Sequence, residues 1–293
     1  GTVTVVAAGD QSYYLGQEVK LSGTNSETDT VYMFITGPNL PSQGGKLTEP
    51  RTSVVNGNVA TFTTADVLDD NTWEYKWQTA NLNIDAGTYT LYAVATPSDK
   101  DNLADTQYAT VSIIIRKPFV TAVASQSTIA QGDKFYVRGV AEGKPSEGVA
   151  IWILGKNYFL WQTESVNNDG TFEKEVDQGT TSNMAAGQYF VVVQHPMYND
   201  VLDVKPSGDY VIGPYPTANS RIFKIRGAGS LQGSDAAEAL VNALDNSYVD
   251  DTYTKLQFLI EAPDIRISPI TEKAIGEKFE ITGTTNLAVD DEI

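Results

Sequence analysis

The sequence predicts an all-β chain built of tandem β-sandwiches. Three observations predict it: apolar and polar residues alternate over short segments cut by turn residues, one strand pattern recurs along the chain, and 293 residues with 41% hydrophobic content suffice for more than one core.

Residues 3–6, 18–21, 31–35, 88–94 and 111–115 alternate with period two and are punctuated by Gly, Asn and Asp. Alternation places one set of side chains on a core face and the other in water. Asn168-Asp169-Gly170, between 162–166 and 171–176, reads as a hairpin turn because Gly accepts a positive φ.

Repeats carry most of the information. Gly16-Gln-Glu-Val-Lys-Leu-Ser-Gly23, Gly132-Asp-Lys-Phe-Tyr-Val-Arg-Gly139 and Gly276-Glu-Lys-Phe-Glu-Ile-Thr-Gly283 are each a strand framed by two glycines. Ala86-Gly87-Thr88-Tyr89 matches Ala186-Gly187-Gln188-Tyr189, and the strand ending at Pro118 matches the strand ending at Pro263. The expected organisation is therefore one sandwich over 1–117, a second over 118–262, and the first strands of an incomplete third repeat over 263–293. Two lone strands are marginal by themselves. The last segment thus fits a cut from a longer repeat protein better than strand addition to an exposed sheet edge. The Gly-x-Tyr step resembles the tyrosine corner of immunoglobulin-like sandwiches, where the phenol bonds to backbone; an ordinary half-buried strand tyrosine is the alternative. The fold class predicted is all-β: tandem immunoglobulin-like β-sandwiches with one short helix inserted in the second.

That helix belongs to a helical insertion near 227–254. Ser234 is its expected N-cap, and Ala237, Leu240, Val241 and Leu244 form an apolar stripe expected to pack on the edge or end of the second sandwich. The first unit carries its own excess length around 39–77.

Composition excludes whole classes. With no Cys there is no disulfide scaffold, thiol nucleophile or thiolate metal site, and a single His leaves no multi-histidine centre. Thirty-seven acidic against 20 basic residues give a net charge of −17, and no basic run offers a phosphate-binding face, so nucleic acid is not an expected partner. The longest apolar run, Val149-Ala-Ile-Trp-Ile-Leu154, is far short of the ~20 residues of a membrane span. No secretory leader opens the sequence, which fits a mature or excised piece, or a chain that stays inside the cell.

Few residues suggest chemistry. The glycines of 227–233 precede the helix but miss the dinucleotide spacing by one place and lack a surrounding parallel sheet. His195, followed by Pro196, reads as a loop or interface residue. Asp99, Asp101 and Asp105, with Asn102, make the best loop for calcium; Asp69-Asp70, Asp200 with Asp203, Asp250-Asp251 and Asp290-Asp291-Glu292 are further acid groupings, and a solvated acidic face is the ordinary alternative. Paired carboxylates also serve glycoside hydrolysis, but nothing in the sequence pairs them. Trp73, Tyr75 and Trp77 alternate, so they share one face, either a sugar or partner contact or a stretch of core.

The phrases Gly132-Asp-Lys-Phe-Tyr-Val-Arg-Gly-Val-Ala-Glu-Gly143 and Val149-Ala-Ile-Trp-Ile-Leu-Gly-Lys-Asn-Tyr158 resemble repeats in surface-layer proteins of methanogenic archaea. Gly229-Ser-Leu-Gln-Gly-Ser-Asp-Ala-Ala-Glu-Ala-Leu240, 249–256 and 276–289 are similar to the same group. The resemblance implies secreted immunoglobulin-like domains that tile a coat on the cell, often acidic and often glycosylated. The chain departs on the last point, since it contains no Asn-x-Ser/Thr acceptor. The resemblance implies no catalytic residues. The expected function is that of a non-enzymatic, extracellular building block of an acidic surface layer at the cell surface, with copies of itself as partners and divalent cations or glycans as ligands. The alternative is an adhesin or carbohydrate-binding module using Trp73, Tyr75 and Trp77 or the 197–233 loop.

Overall fold

A computed structural model describes residues 1–292. Two compact units divide the chain: Gly1–Pro118 with Met197–Asp200, and Phe119–Pro196 with Val201–Ile293.

The first unit contains β1 (Val6–Ala7), β2 (Ser12–Tyr14), β3 (Glu18–Thr24), β4 (Thr30–Thr36), β5 (Gly45–Lys46), β6 (Glu49–Ser53), β7 (Thr63–Asp66), β8 (Thr72–Gln78), β9 (Gly87–Val94) and β10 (Tyr108–Arg116). One sheet runs β1-β3-β8; the other runs β2-β10-β9-β4-β5-β6, with β7 also paired to β4. The second unit contains β11 (Val120–Ala124), β12 (Thr128–Ala130), β13 (Phe135–Ala141), β14 (Val149–Gly155), β15 (Tyr158–Glu164), β16 (Thr171–Val176), α1 (Gln178–Ser182) and β17 (Gly187–His195). It continues with β18 (Lys205–Ser207), β19 (Tyr210–Gly213), β20 (Ser220–Lys224), α2 (Gly233–Leu244), β21 (Thr252–Glu261), β22 (Ile265–Ile267) and β23 (Gly283–Thr285). Its sheets run β11-β13-β16 and β12-β21-β17-β14-β15. In both units a short strand lies parallel on the last long one, β2 on β10 and β12 on β21. Both are therefore immunoglobulin-like sandwiches on one plan.

The glycine frame has a physical cause. Gly16, Gly132 and Gly276 all adopt a left-handed φ, +104°, +95° and +86°, which suits a residue without Cβ. At the far end, a Cβ on Gly23, Gly139 or Gly283 would sit 1.9, 1.8 or 2.3 Å from the carbonyl oxygen of Thr4, Thr121 or Arg266. The frame thus brings the entry strand of each repeat against its neighbour, in the third repeat as β22 on β23. There Phe279 and Ile281 are exposed, whereas their counterparts Val19, Leu21, Phe135 and Val137 are buried under a second sheet.

The turn at Asn168-Asp169-Gly170 forms, with Asn167 N–H bonded to Thr171 O, but it is not a hairpin. β15 pairs with β14, whereas β16 pairs with β13 in the opposite sheet, so the turn carries the chain between sheets. Asp70 makes the same crossing in the first unit. Its Oδ1 accepts from Thr72 N–H at 3.1 Å and Thr72 Oγ1 at 2.5 Å, as Asp169 Oδ1 accepts from Thr171 at 3.0 and 2.6 Å.

Each unit has a second core on the outside of its larger sheet. Val149, Ile151 and Ile153 fill the space between the sheets, while Ala150, Trp152 and Leu154 face α2. Burial on both faces explains the unbroken apolar run. The helix therefore covers the sheet face, through Ala236, Ala237, Leu240, Ala243 and Leu244, and not its edge or end. It begins at Gly233 with Gln232 at the N-cap and no side-chain cap bond, so Ser234 lies inside the first turn. The whole stretch inserted between β17 and β21 is longer than the expected 227–254 and also holds a three-stranded sheet, β18-β19-β20, which the sequence left unread. In the first unit, Phe34 and Val94 are covered from outside by Val54 and Phe62, from the excess stretch.

Candidate functional site

The β17–β21 ladder ends with His195 opposite Thr252. That register sets Asp250 and Asp251 beside the exit of β17, where the chain leaves for the insertion through Asp203. The carboxylate oxygens of Asp203, Asp250 and Asp251 come within 4.8 Å of one another. Asp203 N–H donates to Asp251 Oδ2 at 2.9 Å, and Asp250 N–H donates to Asp203 Oδ2 at 3.3 Å.

Gln194 holds this group from below. Its position corresponds to Val94 of the first unit, on the outward face of the sheet, and it is fully buried. Gln194 Oε1 accepts from Trp152 Nε1 at 2.9 Å; Nε2 donates to Val204 O at 2.9 Å and to Asp251 Oδ2 at 2.6 Å. A polar side chain inside an apolar layer is tolerated because its bonds are made.

Asp251 is 6% exposed. Burial pushes its carboxyl up to about 9; the Gln194 amide opposes this, the Asp203 charge adds to it, Asp203 N–H opposes it, and Asp250 adds to it. No Lys or Arg is among these influences. Its second oxygen, Oδ1, is shut off from solvent, and no N–H or O–H donor of the described residues reaches it.

The residues singled out in the sequence fall elsewhere. Asp99 is buried, but its Oδ1 caps a 3-10 turn over Lys100–Asn102, accepting from Asp101 N–H at 3.1 Å and Asn102 Nδ2 at 2.6 Å. Asp101 and Asp105 are exposed. Among the described residues these three are not brought together as a group of converging carboxylates. Asp70 is likewise spent on its turn. Trp73 and Trp77 point into the first core, with Trp77 Nε1 bonded to Leu47 O at 2.8 Å, and Tyr75 packs half-buried beside them. The shared face is a core face, which removes these two tryptophans as a contact surface. His195 is a buried strand residue, its Nε2 2.7 Å from Glu142 O. The glycines of 227–233 follow β20, which pairs antiparallel with β19, so no dinucleotide-binding unit exists there. Asp291 lies against buried Asp133, whose carboxyl is raised by burial and then by that neighbour. The sequence paired Asp203 with Asp200; the fold pairs it with Asp250 and Asp251. The signal available was their nearness to the two ends of the insertion.

No family model matches the chain, and no curated protein matches it in sequence. Among solved structures, a tetra-tandem repeat in the extending region of a large adhesion protein is similar at 15% identity and a TM-score of 0.32, covering 97% of this chain and 56% of that one. A structure described in connection with host cell surface retention of a 1.5-MDa bacterial ice-binding adhesin is similar at 18% identity and 0.27, covering 66% and 58%. The human OSCAR ligand-binding domain is similar at 11% identity and 0.24, covering 67% and 90%. The chain spans just over half the length of the first two, and scores this low carry no functional inference.

Proposed function

We propose that this chain is a non-enzymatic structural segment of an extracellular cell-surface protein, a building block of an acidic surface layer. The observation that carries this reading is duplication of the complete sandwich plan. Both units repeat the glycine frame, the sheet-crossing Asp turn, the parallel edge strand and the covered outer sheet face. Repetition of a scaffold extends a surface, as a coat protein requires. The net charge of −17 keeps separate copies apart, and salt or divalent cations relieve that repulsion. Light scattering after size exclusion, across a salt and divalent-cation series, tests the reading. Growth from monomer to large ordered assemblies supports it; a monomer throughout sinks it for this chain.

An adhesive role is the second reading. One observation favours it: Tyr215 and Tyr248 are exposed and stacked with centroids 5.0 Å apart, and Tyr215 lines a groove with Pro214 and Ile222. Such rings suit a sugar or partner contact. A glycan array in which binding falls on Tyr248→Ala would favour this reading over the coat.

A further inference from the structure

We infer that Asp203, Asp250 and Asp251 form a calcium site that clasps the two ends of the insertion in the second unit.

The acid cluster alone would not carry this. The second observation is Asp251 Oδ1, a carboxylate oxygen sealed from solvent that no N–H or O–H donor of the described residues reaches, beside the Asp250 carboxyl and in a side chain whose other oxygen is taken by Gln194 and Asp203 N–H. A buried carboxylate without a partner is costly, and the two ways to relieve it are a proton or a cation. A proton serves one oxygen. Here three carboxylates converge within 4.8 Å, and like charges that close repel unless a proton or a cation stands between them.

The donors are all carboxylate oxygens. The chain has no thiol, and the His195 ring is directed to the Glu142 carbonyl, so a hard cation fits and a soft one does not. Magnesium demands near-ideal octahedral geometry and keeps several waters; calcium tolerates irregular sets of six to eight oxygens. Asp251 is closed to solvent and fixed by Gln194, so it cannot rearrange to meet the strict magnesium geometry, and calcium is the better fit. Asp203 starts the insertion and Asp250-Asp251 end it. Calcium there would close the layer of β18–β20 and α2 onto the sheet. This inference does not rest on the surface-coat reading.

The test uses the full chain as monomer, stripped with chelator. Terbium(III) is titrated with tryptophan excitation, since Trp152 bonds to Gln194, which bonds to Asp251. Calcium is then added in competition, and calorimetric unfolding is followed with calcium and with chelator. One sensitised site should saturate and be displaced by calcium, and calcium should raise one unfolding transition. Asp251→Asn and Asp250→Asn should each weaken calcium binding by at least about tenfold and abolish the thermal shift. If both variants bind terbium and calcium like the parent, the ion sits elsewhere and the inference falls. If calcium does nothing to the parent while Asp251→Asn is at least as stable, Asp251 holds a proton and the inference also falls. Should Asp251→Asn not fold, Asp250→Asn and Asp203→Asn decide it. Because these readouts need no assembly, failure of the coat reading leaves them unaffected.

Discussion

The Tyr89 ring occupies the space that a side chain on Gly37 would need: a Cβ there would stand 2.3 Å from Tyr89 Cδ1. The second unit repeats the relationship, Gly155 against Tyr189 Cε1 at 2.4 Å. Each hydroxyl then donates to a carbonyl four residues back, Tyr89 to Asp85 O and Tyr189 to Ala185 O, both at 2.7 Å. This is the tyrosine-corner geometry. Gly155→Ala should destabilise the second unit by about 1–3 kcal/mol through overpacking, and Tyr189→Phe by about 1 kcal/mol through the lost bond. Urea unfolding measures both; equal stability of Gly155→Ala and the parent would show that the ring can move aside.

The frame glycines, the Ala-Gly-x-Tyr steps and the inserted helix were legible because each rests on local backbone or period. Gly37 and Gly155 escaped notice because the contact that requires them joins strands far apart in sequence. The acid groupings show the same limit. Asp99, Asp101 and Asp105 are dense in sequence, yet local turn bonding uses up that density. Asp203 and Asp251 are 48 residues apart and meet only through the β17–β21 register. Alternation placed Trp73 and Trp77 on one face correctly, but alternation does not say which face the second sheet covers.

Trp77 is fully buried and bonded to Leu47 O, so Trp77→Ala should cost about 3–5 kcal/mol in the first unit. Polysaccharide pull-down by the folded fraction should not change. A variant as stable as the parent but weaker on polysaccharide would return this residue to the surface.

Gln194 bridges Trp152 to Asp251 in the second outer core. Gln194→Leu leaves the Trp152 indole N–H and the Val204 carbonyl without that partner, each worth about 1–3 kcal/mol. Chemical denaturation should show a clear loss, confined to the second unit's transition. Loss of the same size in the first unit's transition would contradict the assignment.

Acid sensitivity should come from the sheet-crossing turns. Asp70 and Asp169 are held below the ordinary carboxylate range, first by the Thr72 and Thr171 hydroxyls and then by the same residues' N–H groups. Asp177, capping α1 through Thr180, is lowered as well, by the Thr180 N–H first. A depressed folded value means that the unfolded chain takes up protons first as pH falls. The contribution to stability is therefore whole above the unfolded value of about 3.9 and is lost as pH drops through the folded one. Asp169→Asn keeps an oxygen to accept both Thr171 bonds but cannot titrate. Its melting temperature should change less than the parent's between pH 5 and 2, while the two profiles run parallel above pH 5. Profiles parallel throughout would mean that the Asp169–Thr171 bonds do not depend on the charge.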